Sequence, residues 1–262
     1  SCANSLEAGN GGQPEHTVRM QLPIRTDLAP PPQGNAATCL LALAVMSDVQ
    51  VLDTASPARC EWVGQWSDDP LWQSLQPMHR PGEALTHWAL LAHVERLRRR
   101  PAGPVSGHAY DLALCLGDNI DNAQHNELAT FLAIMAAGRA QLSAYGGVQE
   151  AGAELGPGPW PFWCPDATVA DSWKPRGYPA VPDFVARASA EMVSPGLGFA
   201  WTSVPGNHDL MRQGTALPEP CIEAIAVGAA KMLRRPDGLR HVRDPLALFV
   251  EQPAAFSEGS TR

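Results

Sequence analysis

The chain has 262 residues, 45% of them hydrophobic and 18% charged, enough apolar material for one sizeable globular domain or two small ones. A net charge of −8 excludes a broad basic footprint for nucleic acid, and no apolar run approaches the length of a membrane span. No secretory leader pattern stands at the start, which is Ser1 rather than Met and so says nothing of compartment.

The 25 Pro and 23 Gly point to long irregular connections. Residues 1–37 are polar and rich in Gly and Pro, with Pro30-Pro31-Pro32 at their end, and read as an extended arm ahead of a domain spanning 38–262. Residues 39–46 predict a strand. Residues 47–82 hold turn residues and Trp62, Trp66 and Trp72, and read as a loop over the sheet edge. Residues 83–99 predict a helix, with Leu90, Leu91, Val94 and Leu97 on one face. Arg98-Arg99-Arg100 at its end complement the helix dipole. A buried strand follows over 110–116, then a helix over about 122–142, with Leu128, Phe131, Leu132, Met135 and Leu142 at helical spacing. Residues 143–195 read as an irregular insertion, either a lid or a surface excursion packed by its own Trp rings. A third strand over 198–204 and a helix over 219–233 complete the pattern, with Pro220 placed where a missing N–H costs nothing. Alternating strands and helices predict an α/β fold, with helices on the faces of a mostly parallel or mixed sheet.

Six cysteines are scattered with no CxxC, so neither a thiolate zinc site nor a disulfide framework is indicated. Cys39 and Cys115 fall in predicted strands and read as small buried hydrophobes. His87 and His93 lie six apart on one helix and read as core-satisfied or solvated.

The three predicted strands end alike. Each runs into a turn carrying metal-competent side chains: Ser47-Asp48-Val49-Gln50, Gly117-Asp118-Asn119-Ile120-Asp121 and Gly206-Asn207-His208-Asp209. The carboxyl ends of parallel strands are where ligands bind in open α/β sheets, and this donor set suits hard or borderline divalent ions. If Asp48 and Gln50 leave the strand extended, they point the same way and can share one ion. His208 offers an imidazole, the side chain suited to proton transfer near neutral pH, and Asp209 is placed to orient its ring. Asp121 with Gln124 reads first as a helix capping box.

These three blocks, in this order, resemble the DxH, GDxxD and GNH[DE] motifs of the calcineurin-like metallophosphoesterases. The wider stretches Asp53–Glu61 and Asp118–Glu127 are similar to an uncharacterised subgroup of that family. The resemblance covers about residues 38–215. It implies an αββα sandwich, of which this chain is expected to hold the N-terminal half plus insertions, and hydrolysis of a small phosphate ester by water activated between two divalent ions (Mn, Fe or Zn, with Mn favoured). Carried over residue by residue, Asp48 and Gln50 would ligate the first ion, Asp118 would bridge both, and Asn207 would ligate the second. His208, with Asp209, would serve the developing charge or the leaving group. Arg59 is a candidate phosphate contact, because its fork matches phosphate oxygens, with an ion pair to Glu61 or Asp53 as the alternative. His125 is a candidate substrate contact.

Two departures qualify the resemblance. Gln50 stands where the family has a His ligand, which favours a hard ion over zinc. The later GH and GHxH blocks are missing, so the chain is expected to stop before the second half of the sandwich. A non-catalytic partial fold is therefore the competing expectation. A nucleotide-binding doubly wound domain is disfavoured, since no Gly-rich phosphate loop follows any strand and Gly146-Gly147 is too short.

Overall fold

The computed structural model describes residues 5–7, 15–17, 39–61, 63, 69–72, 80–104, 106–142, 159–160, 162–214, 220–227, 231 and 243. Within the predicted arm, β1 (Ser5–Glu7) and β2 (Glu15–Thr17) pair antiparallel, Ser5 opposite Thr17, and the rest of residues 1–37 lies outside the described residues.

The centre of the fold is a parallel sheet in the order β3–β4–β7, formed by Leu43–Met46, Leu112–Cys115 and Trp201–Ser203. All three predicted core strands are present and adjacent. Their register places Val45, Leu114 and Thr202 in one row and Met46, Cys115 and Ser203 in the next. Side chains alternate between faces along a strand. Ala44, Ala113 and Cys115 therefore pack on one side, in a core with Leu90, Leu91 and Val94 of α1 (Thr86–Arg99) and Phe131, Ile134 and Met135 of α2 (His125–Ala136). Small strand residues let the two helices lie close to the sheet. The other face, with Leu43, Val45, Leu116 and Val204, stays exposed. α1 and α2 share one core on one face, and the opposite face is apolar and open among the described residues.

The helix predicted over 83–99 divides into a short 3-10 turn, Glu83–Leu85, and α1. The helix predicted to run to 142 stops at Ala136, because Ala137 takes a φ of +72°. The chain then enters β5 (Gly138–Ala140), which pairs antiparallel with β6 (Met192–Ser194). Part of the expected irregular insertion is thus sheet. It also carries α3 (Phe184–Ala188) and is packed by its own rings: Trp163 meets Phe184 edge-on at 4.9 Å, and Trp173 meets Tyr178 at 5.2 Å. The Ala188 carbonyl ties it to α1, accepting from the Trp88 indole at 2.8 Å and lying 2.8 Å from His87 Nε2. His87 is therefore a core residue bonded through Nε2, with its Nδ1 buried and unpartnered among the described residues, and His93 is exposed. The final helix, α4, is described over Pro220–Ala226; the rest of the predicted 219–233 span lies outside the described residues except Val227 and Lys231. Cys115 is buried, but Cys39 precedes β3 and is only partly covered; Cys39, Cys60, Cys115 and Cys164 are free thiols.

Candidate functional site

Beyond the last paired residues the three strand ends continue to hold one another. The Asp48 N–H donates to the Gly117 carbonyl at 3.3 Å, Gln50 N–H to Asp118 O at 2.8 Å, and Val51 N–H to Asn119 O at 3.0 Å. On the other side, Val204 N–H donates to Cys115 O at 3.0 Å. Glycines let the second and third turns touch. A Cβ on Gly117 would lie 2.9 Å from the Gly206 Cα, and a Cβ on Gly206 would fall on the Asp118 carboxylate and 2.5 Å from its backbone N. Asp48, Asp118 and Asn207 thus stand on three neighbouring strand ends at one edge of the sheet.

Asp48, Gln50 and Asp118 adopt φ of +56°, +43° and +52°. Non-glycine residues reach this left-handed region at a cost of order 1–3 kcal/mol each. The extended geometry expected for Asp48-Val49-Gln50 is therefore wrong, and the two side chains do not share surroundings. Asp48 is exposed and its carboxylate accepts from the Ser47 hydroxyl. Gln50 is 8% exposed, and its carboxamide oxygen accepts from Arg80 Nη1.

The third turn is fixed by Asp209. One carboxylate oxygen accepts the Asn119 and Ile120 N–H groups at 2.9 and 3.0 Å; the other accepts Gly206 N–H at 2.7 Å and the Asn119 carboxamide at 3.2 Å. Asp209 clamps the second turn to the third. It was expected beside the His208 ring, but the ring's carboxylate partner is Asp121, 3.1 Å from Nδ1. His208 also donates its backbone N–H to Asp118 Oδ1 at 3.0 Å. Asn207 is exposed, and its side-chain amide donates to Gln213 O at 3.1 Å.

Asp121 is fully buried and is not a cap of α2. Gln124 holds the N-cap position, and Glu127 reaches back to its N–H at 3.3 Å. Burial alone would raise the Asp121 carboxyl, but Arg59, the His208 hydrogen bond and Arg80 together hold it down at about 2. Asp121 is thus ionised near neutral pH. An ionised carboxylate only accepts, so His208 Nδ1 carries the proton towards it and Nε2 is the nitrogen left for chemistry.

Arg59 has the ion-pair role, not the phosphate role. Its side chain is 2% exposed and bonds Glu83, Glu61 and Asp121 at 2.8–2.9 Å. Glu61 also meets Lys231 at 2.8 Å. Asp53, the other partner considered for Arg59, is buried and donates its backbone N–H to Glu127 at 2.9 Å. His125 opens α2 and is exposed. Sequence reasoning passed over Arg80. Its one visible signal is position, in Arg80-Pro-Gly-Glu83 just ahead of α1.

Asp48, Asp118 and Asn207 supply oxygen donors that fit a hard divalent ion. Gln50 fits less well, because its oxygen is engaged by a guanidinium. Among the described residues no group of three or more His, Cys, Asp or Glu is placed to hold a metal, so any ion here depends on carboxamide or other oxygens besides the two carboxylates.

Glu127 gives the site's support a pH signature. Burial pushes its carboxyl up to about 8, with the Asp121 charge adding to the rise, while the N–H groups of Asp53, Asn122 and Gln124 pull it down. Between its ordinary 4.5 and about 8 the folded chain keeps a proton that the unfolded chain has released. Stability therefore falls as pH rises across that window. The melting temperature is expected to drop steadily from pH 5 to 8.5 in calorimetry. Glu127→Gln should flatten that slope, at a cost of about 1–3 kcal/mol at pH 5, because an NH2 donor replaces one of the two carboxyl oxygens that accept backbone N–H groups. An unchanged slope in the variant refutes the assignment.

No protein family, curated protein or solved structure matches the chain.

Proposed function

We propose that this chain carries the strand-end site of a metal-dependent phosphoester hydrolase of the calcineurin-like metallophosphoesterase kind, acting on a small phosphomonoester or phosphodiester. One observation carries the reading most: His208 joins two motif turns, its backbone N–H on Asp118 and its ring on Asp121. Spacing alone does not require those contacts between residues some 90 positions apart.

Asp48, Asp118 and Asn207 would hold divalent metal, two ions in the fullest form of the reading and Mn the favoured one. Bound there, it would polarise phosphoryl oxygens and lower the pKa of water. The chain's own residues supply the rest. Asp209 and the glycine pair fix the turns, so the ligand-bearing side chains start from a rigid base. Asp121 holds His208 with the proton on Nδ1, leaving Nε2 to give or take a proton at the ester oxygen.

The test is hydrolysis of 4-nitrophenyl phosphate and bis(4-nitrophenyl) phosphate with added Mn²⁺. Asp118→Asn is expected to lower the rate by about two orders of magnitude or more. A rate that survives the substitution means another site, or a contaminant. The Arg80–Gln50 contact favours a second reading, a non-catalytic phosphate- or metal-binding fold. That reading is selected if the wild-type chain binds Mn²⁺ but hydrolyses neither ester.

A further inference from the structure

Arg80 is a cation at the strand-end site that the phosphoesterase reading leaves unused. Its guanidinium bonds the Gln50 carboxamide oxygen through Nη1 and Asp121 Oδ1 through Nη2 at 2.8 Å. Gln50 is a residue the motif would assign to the first ion, and Asp121 is the residue that orients His208. A divalent ion on the same Gln50 oxygen would lie against a fixed positive charge. We propose that Arg80 takes the place of the first ion: its guanidinium binds the phosphoryl group, and the site takes a single divalent ion on the Asp118–Asn207 side. This rests on the phosphoesterase reading and narrows it to a one-metal, one-arginine site.

Three features suit Arg80 to that role and set it apart from Arg59. First, it is accessible: its side chain is 37% exposed against 2% for Arg59. Second, it has donors in reserve. Each terminal nitrogen keeps a second N–H beyond the bond described, and a planar fork matches the spacing of phosphate oxygens. Third, it is launched from a fixed turn. Its backbone N–H donates to Glu83 Oε2 at 2.9 Å and its carbonyl accepts the Glu83 N–H at 3.1 Å, while Glu83 is itself pinned by Arg59. Arg80 and His208 share Asp121 Oδ1, which sets the fork beside the imidazole. A phosphate oxygen held by Arg80 would leave the ester oxygen within reach of His208.

The test reads binding rather than turnover, on the full chain. Mn²⁺ stoichiometry is measured by electron paramagnetic resonance of the free ion, and inorganic phosphate affinity by calorimetry with Mn²⁺ present. One Mn²⁺ per chain is expected. Arg80→Ala should weaken phosphate at least tenfold, and Arg80→Lys, which keeps the charge without the fork, by a smaller factor. Gln50→Leu frees the guanidinium from one anchor and should weaken phosphate without changing the metal count. Two Mn²⁺ per wild-type chain, or phosphate affinity indifferent to all three variants, overturns the proposal. Should Arg80→Ala not fold, as judged by circular dichroism, unchanged affinity in Arg80→Lys and Gln50→Leu overturns it equally. If Asp118→Asn abolishes hydrolysis while phosphate ignores Arg80, the phosphoesterase reading stands and this one falls. A chain that binds neither Mn²⁺ nor phosphate removes both.

Discussion

Arg59→Leu is expected to destabilise the chain more than any other single change described. The guanidinium is buried, with Nε on Asp121 at 2.9 Å, Nη1 on Glu61 at 2.9 Å and Nη2 on Glu83 at 2.8 Å. Removing one partner of a buried ion pair costs about 3–5 kcal/mol, because the other charge is left in the interior. Here three carboxylates lose the same partner. Lys231 still reaches Glu61, and Arg80 still reaches Asp121, which tempers the loss at those two. Glu83 keeps the Arg80 backbone N–H but loses a paired guanidinium. Against a total folding free energy of about 5–15 kcal/mol, the variant should melt far below the wild type or fail to accumulate. Arg59→Lys retains a charge but not a fork that serves three acceptors, and should fall between. The acid behaviour changes too. Asp121, held near 2 against an ordinary 3.8, contributes about 2 kcal/mol that is present above pH 4 and lost as pH falls towards 2. Without Arg59 most of that contribution disappears. Urea melts of the three chains at pH 7 and pH 3.5 measure both effects. Wild-type stability in Arg59→Leu would mean the network is not formed.

The site was legible where chemistry and local pattern coincide. Runs such as Leu112-Ala-Leu-Cys are apolar enough to be buried strands, and a Ser-Asp, Gly-Asp or Gly-Asn turn at the end of each gives the strand direction and edge. That was sufficient to place Asp48, Asp118 and Asn207 on neighbouring strands. Backbone angles were not legible. Alternation assumes an extended chain, and the left-handed φ of Asp48 and Gln50 turns one side chain to solvent and the other inward. Long-range ion pairing was not legible either. Arg59 and Asp121 are 62 residues apart and Arg80 and Asp121 41 apart, and no periodicity marks such a pair. Both arginines fit phosphate equally well by type; what separates them, burial first, appears only in the fold. The β5–β6 pair was missed because Gly138-Arg-Ala has no strand propensity of its own. Its partner, some fifty residues on, supplies the reason to be extended.

Gly206→Ala is the substitution expected to injure the site most through shape alone. Gly206 does not need a left-handed φ; its reason is proximity. A methyl there would fall on the Asp118 carboxylate and 2.5 Å from the Asp118 N, while Gly117 presses back from the second turn, where a Cβ would come within 2.9 Å of Gly206. Both obstacles include backbone, so no side-chain rotation relieves them, and the third turn must move away from the second. Three contacts depend on that approach: Asn119 N–H to Asp209 at 2.9 Å, His208 N–H to Asp118 at 3.0 Å, and the His208 ring on Asp121. Overpacking of this kind costs about 1–3 kcal/mol, or roughly 2–4 °C of melting temperature per kcal/mol at this size. Function should suffer out of proportion, because Asp118, Asn207 and His208 all shift at once: Mn²⁺ affinity is expected to fall at least about tenfold while the circular dichroism spectrum stays native. Gly82→Ala is the matched control. Gly82 has a φ of +80° and open space around its missing Cβ, so it costs about 1–2 kcal/mol of backbone strain and leaves the strand-end turns undisturbed. If the two variants lose stability and metal affinity alike, the close approach of Gly117 and Gly206 is not what assembles this site.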